Sequence, residues 1–206
     1  FFVWHLSDGA RPIEQDPGKL PSPCDSRIQN ISKVTEGTVL QAKGQPYAIR
    51  DLLAGVGEEV DLEGGHSWTV YLSPSDYHRV HCPEDARLTE CRWVPGTFYS
   101  VAPGVLRKRP GVIPGNERAV LRLETGHGPL FLVMVGALNV ARIRVEGVEP
   151  GQDTKLDRPF ARGEELARFE MGSTVVLVSP PGGLQPIDSL AQGDALRLGQ
   201  WLATWA

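Results

Sequence analysis

Proline and glycine interrupt this chain too often for it to be built from long helices. It carries 23 glycines and 17 prolines among 206 residues, well above the usual combined share of ~12%. Turns must therefore be frequent, and the sequence predicts a mainly β fold of the α+β type, an antiparallel β-sandwich or barrel-like core with two or three short helices. Pro12, Pro17, Pro21 and Pro23 exclude a long helix from the first 25 residues and favour an extended, turning lead-in. The length fits a single domain over residues 1–206.

Hydrophobic residues make up 41% and charged residues 22%, which excludes a solvated disordered chain. The longest apolar run, Leu130 to Leu138, is nine residues, far short of the ~20 that cross a bilayer as a helix. A net charge of -4 with no basic block argues against a nucleic-acid surface that neutralises phosphates. Cys24, Cys82 and Cys91 are an odd number without CxxC spacing, so a disulfide framework is not expected. No signal-peptide pattern opens the chain, and its start at Phe1 reads as the interior of a longer sequence.

Ser67–Leu72, Leu88–Val94 and Arg118–Glu124 have the aromatic, β-branched or alternating character of strands, as do Lys33–Lys43 and Ala141–Glu146. Phe131–Val135 and Thr174–Val178 are short apolar runs that read as buried strands. Tyr47–Ala54 has helical spacing, with Gly55 as its expected C-cap. The polar stretch Glu149–Arg162 reads as a loop.

Three stretches could carry chemistry. In YLSPSDYHRVHCP (Tyr71–Pro83), Ser73, Pro74 and Asp76 form an N-cap signal, which predicts one or two helical turns with His78 and His81 on the same face. In ARGEELARFEMGSTVVLVSPPG (Ala161–Gly182), a Gly172-Ser173 bond stands at the mouth of a buried strand. There the Ser173 hydroxyl can reach the Gly172 carbonyl without a Cβ in the way. In PSPCDSRI, Asp25 sits in a proline-flanked turn. Each has a plainer reading: a solvated or carbonyl-bonded histidine, a turn before a core strand, and an aspartate bonding its own backbone. His78 and His81, joined by Cys82 and by Cys91 or His66, could also ligate zinc, although the spacing matches no common zinc pattern.

Taken in order, SPCDS, YLSPSDYHRVHCP, PGTFYSV, GNER, VGALNV and EMGSTVVLV resemble the phosphatidylserine decarboxylase family, as do FFVWHLSDGARPI and VLQAKGQPYAIRDLLAG. The resemblance covers nearly the whole chain. It implies self-cleavage between Gly172 and Ser173, leaving residues 1–172 as a β chain and 173–206 as an α chain. Ser173 would become a pyruvoyl group, the cofactor, which forms a Schiff base with phosphatidylserine and releases CO2 to give phosphatidylethanolamine. Asp25, His81 and Ser173 would be the cleavage relay, with His78 helping decarboxylation and reprotonation. No metal is implied. The implied partners are phosphatidylserine and a membrane surface bound peripherally, at the cytoplasmic face of a bacterial inner membrane or at the mitochondrial inner membrane. A homodimer is compatible with this reading, and nucleic acid is not a partner.

Arg107, Lys108, Arg109 and Arg118 are the basic candidates for the substrate phosphate. The sequence departs from the family pattern at Trp4, His5, Ser26, Ala141, Ala167 and Met171. Those departures motivate one alternative, a catalytically impaired lipid-binding homologue; a zinc hydrolase built on His78, His81 and a further ligand is another.

Overall fold

A computed structural model of the chain describes residues 4–7, 9–42, 45–137, 143–170 and 173–206. The strands β1 (Lys19–Pro21), β2 (Ser26–Lys33), β3 (Thr38–Ala42) and β4 (Gln45–Ala48) lead into helix α1 (Ile49–Leu53). Next come β5 (His66–Leu72), β6 (Arg79–His81) and β7 (Ala86–Val94), then helices α2 (Pro103–Leu106) and α3 (Val112–Gly115). Five further strands follow: β8 (Arg118–Thr125), β9 (Gly128–Gly136), β10 (Ile143–Val145), β11 (Thr154–Phe160) and β12 (Glu165–Phe169). The chain closes with β13 (Ser173–Ser179), β14 (Leu184–Pro186), β15 (Ala195–Leu196) and β16 (Trp201–Trp205).

The backbone of the molecule is an eight-stranded antiparallel sheet in the order β11-β7-β8-β9-β13-β5-β2-β15. Its two faces are both apolar, and strand alternation sorts the residues between them. Val175, Leu177, Leu132, Met134, Leu121 and Leu72 join one core, which is closed by Leu20, Leu202, Val80, Leu166 and Phe169. Those last residues come from two three-stranded sheets, β1-β16-β14 and β10-β12-β6. Val176, Val178, Phe131, Val133 and Val135 face the other way, under Leu52 and Leu53 of α1, Leu106 of α2 and Ile113 of α3. The result is a sandwich with helices on its outer face, as the composition predicts, and it is not a closed barrel. Burying each large side chain contributes roughly 1.5–3 kcal/mol. Gly57 is needed where the outer layer meets the sheet: its φ is +65°, and a Cβ there would lie 2.4 Å from the Phe131 ring.

Several sequence expectations need correction. Lys33–Lys43 is not one strand, because the chain turns at Glu36 and Gly37 between β2 and β3. The Tyr47–Ala54 helix shortens to α1, and Ala54 rather than Gly55 takes the left-handed C-cap conformation, at φ 50°. Glu149–Arg162 is not all loop: β11 forms the edge of the large sheet, a position that tolerates Pro159 because its missing N–H is not needed on the outer side. Ala141 lies outside the described residues, so only β10 of the Ala141–Glu146 expectation is described. All three cysteines are buried thiols without a disulfide, and burial pushes Cys82 and Cys91 up to about 12.

Candidate active site

The predicted helical turn after Ser73 does not form. Ser73 and Asp76 do find each other, since Asp76 Oδ2 accepts from the Ser73 amide (2.7 Å) and hydroxyl (2.7 Å) while the Asp76 amide donates to Ser73 O (2.9 Å). They close a turn, not a helix N-terminus. Arg79 to His81 are then recruited as β6 by β12, a strand some 85 residues later, with Val80 opposite Ala167 and Arg79 opposite Arg168. His78 and His81 therefore do not share a helix face. The local capping pattern could not reveal a pairing made at such sequence distance.

Each imidazole is fixed by a backbone carbonyl. His78 Nδ1 lies 2.7 Å from Asp76 O, and His81 Nδ1 lies 2.8 Å from Gly163 O. A carbonyl only accepts, so both Nδ1 atoms carry hydrogen and Nε2 is the basic nitrogen in each ring. His81 Nε2 receives the Tyr77 hydroxyl at 3.1 Å. Burial lowers the pKa of both histidines below the usual value and outweighs the carbonyl bonds, so each is neutral, and a competent base, at pH 7.

Ser173 is the first residue of β13 and is fully buried. It stands opposite Leu72 on one side and Gly136 on the other. By strand parity with Val175 and Leu177 its side chain points to the face that carries β6. Its Oγ has no hydrogen-bond partner among the described residues. His78 is tied to this place from two directions. Five residues separate it from Leu72, and four of them are folded into the Ser73–Asp76 turn. On the other side, His78 O accepts from the Phe169 amide at 2.9 Å, and the four-residue step from Phe169 to Ser173 spans at most about 14 Å.

Asp25 immediately precedes β2, at the same end of the sheet, where Arg27 pairs with Tyr71. Its carboxylate does not bond His81. Asp25 instead accepts two bonds from Arg11, at 2.9 and 2.7 Å, and one from the Leu198 amide at 2.8 Å. His81 is attached to this region through its own amide, which donates to Pro23 O at 2.8 Å. The Arg11–Asp25 pair spans 14 residues, and no local motif announces it. Arg11, Tyr77, His81 and Glu165 line a cavity of about 250 Å³ together with His5 and Leu6 of the leading segment. Trp4 packs edge-on against Tyr77, with ring centroids 5.3 Å apart. Gly172 and Met171 lie outside the described residues, as does the end of the Val135–Val140 motif.

Two other sequence candidates change standing. Arg118 is buried with its guanidinium spent on the carbonyls of Leu52, Pro114, Asn116 and Asp51, so it does not reach a phosphate. The zinc reading finds no ligand set, because among the described residues no group of three His, Cys, Asp or Glu side chains could hold a metal. Sequence reasoning also passed over the Asn116-Glu117 step. Asn116 Nδ2 donates to Gly136 O and to Tyr99 O, both at 2.8 Å, and Glu117 O accepts from the Gly136 amide at 2.9 Å. Two consecutive residues thus fix the backbone beside Ser173, and the GNER motif (Gly115–Arg118) was the available signal.

The chain matches a family model described as phosphatidylserine decarboxylase over residues 1–204. It is 39% identical to a phosphatidylserine decarboxylase proenzyme of Erwinia tasmaniensis, over 99% of this chain and 74% of that protein. It is 40% identical to proteins of the same name from Xanthomonas campestris pv. campestris and Xanthomonas axonopodis pv. citri, over 98% of this chain and 76% of each relative. The family model and these relatives define the chain as a carboxy-lyase. More particularly, it belongs to the phosphatidylserine decarboxylase family. No helix among the described residues is long and apolar enough to cross a membrane.

Proposed function

We propose that the chain is a proenzyme that breaks itself between Gly172 and Ser173 and then decarboxylates phosphatidylserine with a pyruvoyl group made from Ser173. The observation that carries this reading is the buried Ser173 hydroxyl, held without a hydrogen-bond partner among the described residues at the mouth of β13. A bare hydroxyl in a dry site is costly to keep, and it suits a group whose function is to react. A hydroxyl is a weak nucleophile, so attack on the preceding carbonyl needs a base. His81 is neutral, has its tautomer set by Gly163 O, and presents Nε2. Asp25 completes the relay by exchanging Arg11 for His81, an exchange that stays within the cluster formed by Arg11, Tyr77 and His81 around one cavity. Attack converts the amide to an ester. Elimination then frees residues 1–172 as a carboxylate, and hydrolysis of the remaining terminus yields ammonia and the ketone.

The residues at Ser173 fit such a group, because its site is buried and faces the layer that carries the histidines. Once formed, the ketone supplies an electron sink for the carbanion left by CO2. The protein's own part is to exclude water and to move protons. His78, fixed through Nδ1 and anchored near Ser173 from both sides, takes up at Nε2 a proton that the substrate ammonium releases and returns it to the substrate α-carbon. Peripheral attachment to a lipid surface is supported by Phe98 and Tyr99, large and exposed, with the Arg109 guanidinium 3.5 Å from the Tyr99 ring centre and Arg107 and Lys108 exposed alongside.

The test is a denaturing gel with mass spectrometry. Fragments 1–172 and 173–206, the second with a carbonyl-reactive amino terminus, are expected, and a single chain from Ser173→Ala. A wild-type protein that stays intact while lipid is turned over would overturn the reading.

A further inference from the structure

A second cavity, of about 440 Å³, opens beside the same end of the sheet and is lined by Trp93, Val94, Pro95, Glu117, Ile143 and Arg144, with Pro150 and Gly151 at its border. Glu117 and Arg144 are its only ionisable lining groups among the described residues. Glu117 is pinned by its backbone on both sides, its amide donating to Thr97 O at 2.9 Å and its carbonyl accepting from Gly136. Its carboxylate, by contrast, has neither a hydrogen bond nor an ion pair among the described residues. Burial raises its pKa. The Arg144 side chain is 40% exposed, with its Nε 3.7 Å from Glu170.

The register links this cavity to Ser173. Glu117, Gly136, Ser173 and Leu72 form one row across neighbouring strands. Residues directly opposite one another on paired strands point to the same face, here the face of Leu72 and Met134. Glu117 shares parity with Ala119 and Leu121 of that core and lines the cavity with Ile143, also of that core. Two strand spacings put its Cα on the order of 10 Å from that of Ser173. The residue between them is Gly136, which contributes no side chain to block the way.

We infer that this cavity receives the head group of a primary-amine phosphodiester, with the Glu117 carboxylate taking a proton from its ammonium and Arg144 pairing with its phosphate at the mouth. The inference rests on the decarboxylase reading above and names the substrate subsite within it. An ammonium has no lone pair with which to attack a carbonyl. Transfer of one proton from R–NH3+ to Glu117 leaves R–NH2 and a neutral carboxylic acid, so the amine acquires its lone pair and the acid holds the proton for return. A carboxylate already disfavoured by burial accepts that proton more readily than a solvated one. The cavity's two charges are of the signs the head group needs, a carboxylate for the ammonium and a guanidinium for the phosphate.

Binding tests this on the full-length Ser173→Ala chain, which holds no cofactor, by calorimetry with glycerophosphoserine and with an analogue whose amino group is replaced by hydrogen. Adding Glu117→Gln is expected to weaken glycerophosphoserine at least tenfold and to leave the analogue within twofold. Adding Arg144→Gln is expected to weaken both. Equal effects of Glu117→Gln on the two ligands, or no effect on either, would overturn the inference. Glutamate-labelled carboxyl NMR on the Ser173→Ala chain alone gives a second reading that does not depend on the Gln variant folding: the Glu117 signal must move with glycerophosphoserine and not with the analogue. The decarboxylase reading fails on a different observation, a wild-type chain that never yields the two fragments.

Discussion

Removing the Ser173 hydroxyl should make the unprocessed protein more stable. A buried polar group left without a partner costs about 1–3 kcal/mol, and among the described residues Ser173 Oγ is such a group, in a residue that is 0% exposed. Ser173→Ala removes that cost and leaves a void of about one oxygen atom, so a net gain of ~1 kcal/mol is expected. For a chain of 206 residues that corresponds to a rise in Tm of about 2–4 °C. Both arms of the comparison carry His81→Ala, so that a denaturing gel shows one intact chain in each and the change at residue 173 is the only difference. Thr174 provides the control. It too is fully buried, with an Oγ1 that has no partner among the described residues, but it faces the helical layer. Thr174→Val, which keeps the shape, should stabilise by a similar amount without touching self-cleavage. A fall in Tm for Ser173→Ala would mean that the hydroxyl is satisfied in the folded chain, and the argument that it is kept bare for reaction would fail.

His78→Ala should still yield fragments 1–172 and 173–206 while losing at least about 100-fold in decarboxylation rate; full activity in a chemically verified, cleaved variant would remove His78 from the reaction. Because burial lowers the pKa of His78 and His81 in the folded state, their neutral forms favour folding above the unfolded value of about 6.5. That contribution is lost as pH falls through the lower folded values, so urea midpoints should drop below about pH 6.5, and the drop should shrink in His78→Phe. Arg11→Leu leaves the Asp25 carboxylate, among the described residues, with only the Leu198 amide. It should cost about 1–3 kcal/mol by urea titration, discounted toward the low end because the pair is partly exposed, and it should speed self-cleavage by releasing Asp25 to His81. Unchanged cleavage kinetics in Arg11→Leu would show that Asp25 does not need to change partners.

What was legible in the sequence was what the chain decides locally. The β-branched and alternating runs at Ser67–Leu72, Leu88–Val94, Arg118–Glu124 and Thr174–Val178 all form strands, because side-chain period and burial agree there. The family resemblance, carried by motifs spread along the chain, is confirmed by relatives near 40% identity. What was not legible depends on partners distant in sequence. β6 is three residues long and exists because β12 pairs with it, so the capping signal at Ser73 gave a turn instead of a helix. β11 looked like a loop because Lys155, Asp157 and Pro159 are tolerable only on a sheet edge. The Arg11–Asp25 pair and the position of Glu117 beside Gly136 follow from where segments distant in sequence meet, which no window of sequence contains.

The strand that begins at Ser173 lies in the middle of the large sheet, hydrogen-bonded on one flank to β9 and on the other to β5. Beyond it, β15 is laced to β2 and β16 to β1. A scission just before this strand therefore severs the polypeptide without releasing either part. The short piece would remain sewn into the long one along several seams, its fresh end held at a fixed spot and sheltered from solvent, and only denaturation would reveal two pieces.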